Sequence, residues 1–223
     1  MNSVKPLVIF GAGEIAELAL FYFEHDGGRQ VAAFTLDAAY VSAPTAFGRP
    51  VVPFDEMNRS HPPDQYDLFV AVGYSKVNHL REAKCRAASQ LGYRLASYVS
   101  PRATLFPDLQ HGENAFILEN NVIQPRVTLG SGVTLWSGNH IGHHVRIDDW
   151  CFLASHVVVS GGVTIGEGCF LGVNATLRDH ITLGRRCVVG AGAVLLEDAA
   201  DESVFAATGT KPASIPSSRL RRI

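Results

Sequence analysis

Between Leu105 and Leu195 every sixth residue is aliphatic, with a single exception, and the register never slips. The series runs Leu105, His111, Ile117, Ile123, Leu129, Leu135, Ile141, Ile147, Leu153, Val159, Ile165, Leu171, Leu177, Leu183, Val189 and Leu195. Neither the 3.6-residue period of a helix nor the two-residue alternation of a strand produces this spacing. A six-residue period belongs to a parallel β-helix, in which each short side of a coil sends one aliphatic residue inward. Three sides make a coil, so residues 18 apart stack on one another.

The repeat also serves as a coordinate system. Three places after each inward residue stand Asn114, Asn120, Arg126, Gly132, Gly138, His144, Trp150, His156, Gly162, Gly168, Asn174, His180, Arg186 and Gly192. Gly, Asn and His dominate, and these types tolerate positive φ best. This position is therefore the expected corner of the coil, and it accounts for His144, His156 and His180 without any ligand. Cys151, Cys169 and Cys187 are spaced by 18, each two residues before an inward aliphatic. They read as small packing residues stacked inside the prism. Cys85 stands apart in a helix-like segment, and no CxxC or other close metal-ligand spacing occurs.

Residues 1–100 read as a small parallel α/β unit in which strands alternate with helices. Leu7–Phe10 is a short apolar run ending in Gly11-Ala12-Gly13, and a helix is expected over about Glu14–Glu24. Strands are expected at Val31–Phe34, Val51–Val52, Leu68–Val72 and Leu95–Val99, with a helix from Lys76 to Leu91. Ser100-Pro101 marks the boundary, residues 101–205 form the β-helix, and 206–223 form a polar arm ending in Arg219, Arg221 and Arg222. A net charge of −2 gives no reason to expect nucleic acid or an anionic membrane as partner. Pro6–Phe10 is too short to span a bilayer and lacks the features of a signal peptide, so the expected location is the cytoplasm.

His143 is the one histidine at the second place after an inward residue. One coil further along the same edge stands Gly161, whose missing side chain leaves its backbone N–H open beside the imidazole. A base next to an exposed donor is the minimum equipment for acyl transfer. His140, on a coil side, flanks this place.

The segments GNHIGHH (138–144), SGGVTIGEGCFLGVNATL (160–177) and VVGAGAVLL (188–196), after an α/β unit opening IFGAGEIA (9–16), resemble the bacterial hexapeptide-repeat sugar acetyltransferases. These include nucleotide-sugar N-acetyltransferases and sialic acid O-acetyltransferase-like proteins. The resemblance covers nearly the whole chain. It implies a Rossmann-like first domain binding the nucleotide of the acceptor sugar, a left-handed β-helix, a homotrimer, and acetyl-CoA lying between neighbouring β-helices. It also implies a place in surface polysaccharide biosynthesis. The catalytic histidine of the family maps onto His143, and its backbone contact to the acetyl group maps onto Gly161. Further coenzyme contacts map to Val173 and Ala191, and to Lys211 and Pro212 in a Gly-x-x-Pro-like loop. Two positions depart from the family. His144 stands where relatives often carry an acid that orients the catalytic imidazole, leaving Asp149 or Glu119 as orienting candidates. Gly13-Glu14-Ile15 stands where relatives tend to have Ser-Gly-His.

Gly11-Ala12-Gly13-Glu14-Ile15-Ala16 fits G-x-G-x-x-A, and Asp37 follows about where a ribose-binding acid belongs. Alone this pattern points to a nicotinamide dinucleotide, but about 100 residues suffice for one mononucleotide-binding half. A sugar nucleotide with its phosphates near the helix N-terminus is the preferred reading. Gly11, Gly13, Asp37 and the Gly73-Tyr74-Ser75 loop would line it, with His140 and His144 on the acceptor side. The expected activity is acetyl-CoA-dependent N-acetylation of a nucleotide-linked amino deoxysugar, with no metal. O-acetylation on the same scaffold is the alternative. A zinc enzyme of the γ-carbonic anhydrase type is disfavoured, because His140, His143, His144 and His156 contain no His-x4-His pair.

Overall fold

The computed structural model describes residues 4–212, 214–215 and 217–219. Arg221 and Arg222 of the expected arm lie outside the described residues. Two apolar runs, β1 (Leu7–Phe10) and β5 (Asp67–Val70), are buried along their whole length and pair side by side in a five-stranded sheet. Its order is β3-β4-β2-β1-β5, with β2 at Val31–Leu36, β3 at Thr45–Ala46 and β4 at Arg49–Pro53. Strands β4, β2, β1 and β5 are parallel, and β3 folds back antiparallel on β4. Phe47 and Gly48 link β3 to β4, both at positive φ, as a two-residue hairpin turn requires. Helix α1 (Glu14–His25) follows β1 and buries Ala16, Ala19 and Phe23 against the sheet. The short helix α2 spans Met57–Ser60.

The helix expected from Lys76 begins instead at His79 and runs to Gln90 as α3. Lys76, Val77 and Asn78 all adopt left-handed φ, of 52°, 50° and 65°. The buried Asn78 amide donates to the carbonyls of Gly168 and Cys169 at 2.9 and 3.1 Å, which ties this loop to the β-helix. A second expectation also changes. Leu95 makes one bridge to Leu68, but β6 (Tyr98–Val99) pairs with Phe116–Ile117 and opens the β-helix rather than closing the α/β sheet.

From there the chain forms a parallel β-helix of two-residue strands, each hydrogen-bonded to the strand 18 residues away except the last, Val204–Phe205, which lies 16 residues from its partner. Face I runs from β6 through Phe116–Ile117, Thr134–Leu135, Phe152–Leu153, Phe170–Leu171 and Val188–Val189 to Val204–Phe205. Face II runs from Val122–Ile123 to Val194–Leu195 and carries His140–Ile141. Face III runs from Gln110–His111 to Thr182–Leu183. The inward aliphatics from Ile117 to Leu195 are buried and make one continuous core, in which Cys151, Cys169 and Cys187 sit as free thiols. Full burial of each such aliphatic contributes about 1.5–3 kcal/mol.

All fourteen expected corner residues have positive φ, including Arg126, Trp150 and Arg186. Large residues at this position fold back onto the coil before. At the edge between faces III and I a Cβ on Gly132 would lie 2.3 Å from the Trp150 ring, and one on Gly168 would lie 3.0 Å from the Arg186 guanidinium. Small and large residues thus alternate along that edge.

The α/β unit is fastened to face I and to this same edge. Phe69, Tyr98 and Phe116 belong to one buried cluster. The Asn114 side chain pairs with both the N–H and the carbonyl of Val70 at 2.7 and 3.2 Å. Arg81, almost fully buried on α3, donates to the carbonyls of Gly132 and Trp150 at 3.1 and 2.7 Å. Burial pushes its guanidinium down to about 10, so it stays charged at neutral pH. Among the described residues no helix is long and apolar enough to cross a membrane.

Asp67, at the start of β5, is buried between Arg29 and Arg94 and accepts hydrogen bonds from both. Burial alone would raise its carboxyl, but the bonds from Arg94 and Arg29 hold it below the ordinary range. A carboxyl with a depressed folded pKa contributes stability that is present above the unfolded value and lost as the pH falls through the folded one. Asp67→Asn should therefore lower unfolding free energy by about 1–3 kcal/mol at pH 7. Urea denaturation at pH 7 and pH 3 should show the gap to the parent protein shrinking in acid.

Candidate active site

The edge between faces II and III carries the imidazole pair. Gly142-His143-His144 turns the chain from the His140–Ile141 strand into Arg146–Ile147. Its backbone is held from both sides. The His143 N–H donates to Gln124 Oε1 at 2.9 Å, and the His143 carbonyl accepts from Gly162 N–H at 2.8 Å. His144 N–H donates to the Pro125 carbonyl at 3.2 Å, and His144 occupies the left-handed corner with φ 58°.

The His143 ring leans onto Gly161 of the next coil. A Cβ added there would lie 2.6 Å from Cε1 and 2.7 Å from Nε2 of the imidazole, so only glycine leaves the ring this position. At this second place a side chain caps the N–H of Ser131 (Asp149, 2.7 Å), His143 (Gln124, 2.9 Å) and Arg185 (Asp201, 2.8 Å). The Gly161 N–H has no partner among the described residues. A free N–H and a ring nitrogen therefore share one exposed place. Neither candidate for orienting His143 does so: Glu119 accepts from Tyr22 and Ser137, and Asp149 caps Ser131. Instead His143 Nδ1 faces His144 Nδ1 at 3.1 Å. Adjacency in sequence was the available signal for this contact, but which way the two side chains turn is decided by the corner backbone.

His140 points outward from face II between Val122 and Val158. Val173 and Ala191 are exposed on the other rim of face II, at its edge with face I, so one chain does not bring them to His143. Lys211 and Pro212 lie exposed beyond the last strand of face I. The residues expected to line a nucleotide site gather at the carboxyl ends of β1, β2 and β5. Gly11 adopts φ 126° and passes so close to β5 that a Cβ would meet the Ala71 carbonyl at 2.8 Å. Gly13 caps α1 without a side-chain bond, leaving the helix N-terminus open. Asp37 is engaged by Lys84 at 2.6 Å, and the Lys84 ammonium sits over the rings of Phe10 and Phe54. Gly73 and Ser75 flank Tyr74, which packs on Phe152 and Phe170 of face I. Sequence reasoning had no signal for Lys84, because a mid-helix lysine reads as a solvated charge.

The family described as the hexapeptide repeat of succinyl-transferase matches residues 162–197. The perosamine N-acetyltransferase of Caulobacter crescentus, solved with CoA and GDP-perosamine, is 28% identical over 91% of this chain and 93% of its own, with a TM-score of 0.81. The acetyltransferase domain of PglB from Neisseria gonorrhoeae, solved with acetyl coenzyme A, is 26% identical over 94% and 99%, also at 0.81. The chain is similar to the hexapeptide-repeat sugar acetyltransferases, and acetyl transfer is its enzyme class. WeeI from Acinetobacter baumannii, 17% identical over 90% and 96% with a TM-score of 0.75, shares the fold. No curated protein sequence matches the chain. In this acetyltransferase no group of three or more His, Cys, Asp or Glu among the described residues is arranged to hold a metal ion.

Gly161→Ala tests the contact between ring and backbone. The added methyl has to displace the imidazole, whose ring supplies its three nearest atoms. The His143 ring proton resonances should shift, while the melting temperature stays within about 2–4 °C, the change expected of roughly 1 kcal/mol in a chain of this size. Unchanged His143 resonances would show that the ring does not rest on this glycine.

Proposed function

We propose that the chain is a cytoplasmic acetyl-CoA-dependent N-acetyltransferase acting on a nucleotide-linked amino deoxysugar, working as a homotrimer of left-handed β-helices. The observation that carries this reading is the exposed His143 ring, with Nε2 beside a glycine whose N–H is unpartnered. Acetyl-CoA supplies the acetyl group as an activated thioester. His143 Nε2 takes a proton from the attacking amine, and the Gly161 N–H donates to the carbonyl oxygen as it gains charge. A positioned base contributes about 10²–10⁴ in rate. One oxyanion donor contributes about 10²–10³ where it has been measured.

The trimer is supported by face II, which presents Val122, Val158 and Val194 outward at 37%, 38% and 62% exposure. They alternate with His140 and Thr176 on one flat face, a mixed surface that a second copy can cover. The α/β unit covers face I, whereas His143 stands on the opposite edge of the prism, so a second copy is needed to bring a nucleotide site to the base. The same arrangement would bring Val173, Ala191, Lys211 and Pro212 of one copy toward His143 of another, around a coenzyme lying between them. Gly11, Gly13 and the uncapped start of α1 suit a diphosphate. Asp37 with Lys84, and the Gly73-Tyr74-Ser75 loop, would meet the base or the sugar, and His140 would lie beside the acceptor.

The amine acceptor draws support from the Caulobacter enzyme, an N-acetyltransferase solved with GDP-perosamine. Thiol release from acetyl-CoA with UDP-, GDP- and dTDP-linked amino sugars and with their hydroxyl counterparts tests the acceptor directly. His143→Ala should lower kcat by about 10²–10⁴ without changing the melting temperature. Turnover with hydroxyl sugars alone would assign O-acetylation, and near-normal kcat in His143→Ala would reject the base.

A further inference from the structure

We propose that His144 is the positioning residue and proton partner of His143, so that the base is an imidazole pair sharing one proton between its Nδ1 atoms. This rests on the reading of His143 as the base. A neutral imidazole has one N–H and one lone pair, so the two Nδ1 atoms at 3.1 Å attract only if one carries hydrogen and the other does not. The rings stand nearly perpendicular, at 85°. When His143 Nδ1–H donates to His144 Nδ1, His143 Nε2 is bare and faces the open place beside Gly161, as catalysis needs. His144 then holds its own proton on Nε2.

When His143 Nε2 takes the proton of the amine, the shared proton can pass to His144 Nδ1, and the positive charge spreads over both rings. The bond becomes charge-assisted and strengthens at that moment. His143 then gives its Nε2 proton to the leaving thiolate and the shared proton returns to His143 Nδ1, which restores both the charge and the tautomer of the pair. A carboxylate in this place would fix the tautomer at every pH at which it is ionised. A neutral imidazole can accept the His143 Nδ1 hydrogen or donate its own, so it leaves Nε2 bare in one of two arrangements, and with one more proton on the pair both Nε2 atoms are filled and the base is gone.

The surroundings leave the pair to itself. On the coil before, Arg126 pairs with Asp108 at 3.8 Å. On the strand that follows, Arg146 pairs with Asp148 at 3.0 Å. On the coil beyond Gly161 and Gly162, His180 lies against Asp179 at 3.9 Å, and its ring folds onto Gly162. His140 stands on the preceding strand. Neither His143 nor His144 meets a carboxylate within 4.0 Å among the described residues, and each ring has the other as its polar partner.

The corner makes the test clean. Asn114, Asn120 and Asn174, and several glycines, hold equivalent corners at positive φ, so His144→Asn and His144→Gly should fold. Asn can accept the Nδ1 hydrogen but cannot take a proton, and glycine does neither. In His144→Asn, kcat at the plateau should stay within about tenfold. Its acid limb should move to lower pH, since the limb reports the pair and not one ring. His144→Gly should lose about 10–10² in kcat, part of what a well-placed base supplies, with KM for acetyl-CoA unchanged. If both variants keep the parental kcat and acid limb while His143→Ala is inactive, the pair is overturned and the base stands. If His143→Ala keeps parental turnover, both readings fall.

Discussion

Each coil can close only if the backbone turns through a left-handed corner after every six residues, and the rest of the structure depends on that turn. For an L-residue without glycine's freedom the left-handed region costs about 1–2 kcal/mol. Fourteen corners in register would be a heavy burden if the sequence ignored it. Glycine, asparagine and histidine meet most of it, and at Trp150 and Arg186 the penalty is offset by packing onto the glycine of the neighbouring coil. Once the corners are set, the strands pair in register, and the aliphatic positions have no direction to face but inward.

That regularity produces a surface on which chemistry is exceptional. Strand and corner backbone groups are consumed by the rungs, which leaves the second place of each coil as the position where an N–H can face outward. At Gly161 the neighbour in the previous coil is an imidazole whose ring atoms fill the place a Cβ would take. The same corner backbone sends His144 back toward His143. Base, free donor and base partner therefore arise from three adjacent places on one edge, each held by main-chain bonds to coils above and below.

The prism was legible because periodicity survives any particular choice of aliphatic residue. The corner assignment followed from residue types, and the thiol column followed from spacing. The α/β unit was less legible where tertiary contact overrides local preference. Lys76-Val77-Asn78 reads as helix, but burial of Asn78 against the Gly168 and Cys169 carbonyls bends it into the left-handed region. Tyr98–Val99 reads as the end of the first sheet, yet it is claimed by the prism because Phe116–Ile117 offers an unpaired edge. At the candidate site, His143 and Gly161 could be singled out by their place in the repeat. The Asp37–Lys84 pair could not, since it joins residues 47 positions apart through the packing of a helix on a sheet.

The alternation of Gly132, Trp150, Gly168 and Arg186 along one edge has a consequence for how such a molecule can change. Each large corner residue occupies room that the preceding coil leaves empty, so neighbouring coils there are complementary, not equivalent. On that edge the working unit is two turns of the spiral. Duplication or loss of a single turn would set bulk against bulk or leave a groove, whereas gene rearrangements that move turns in twos keep the fit.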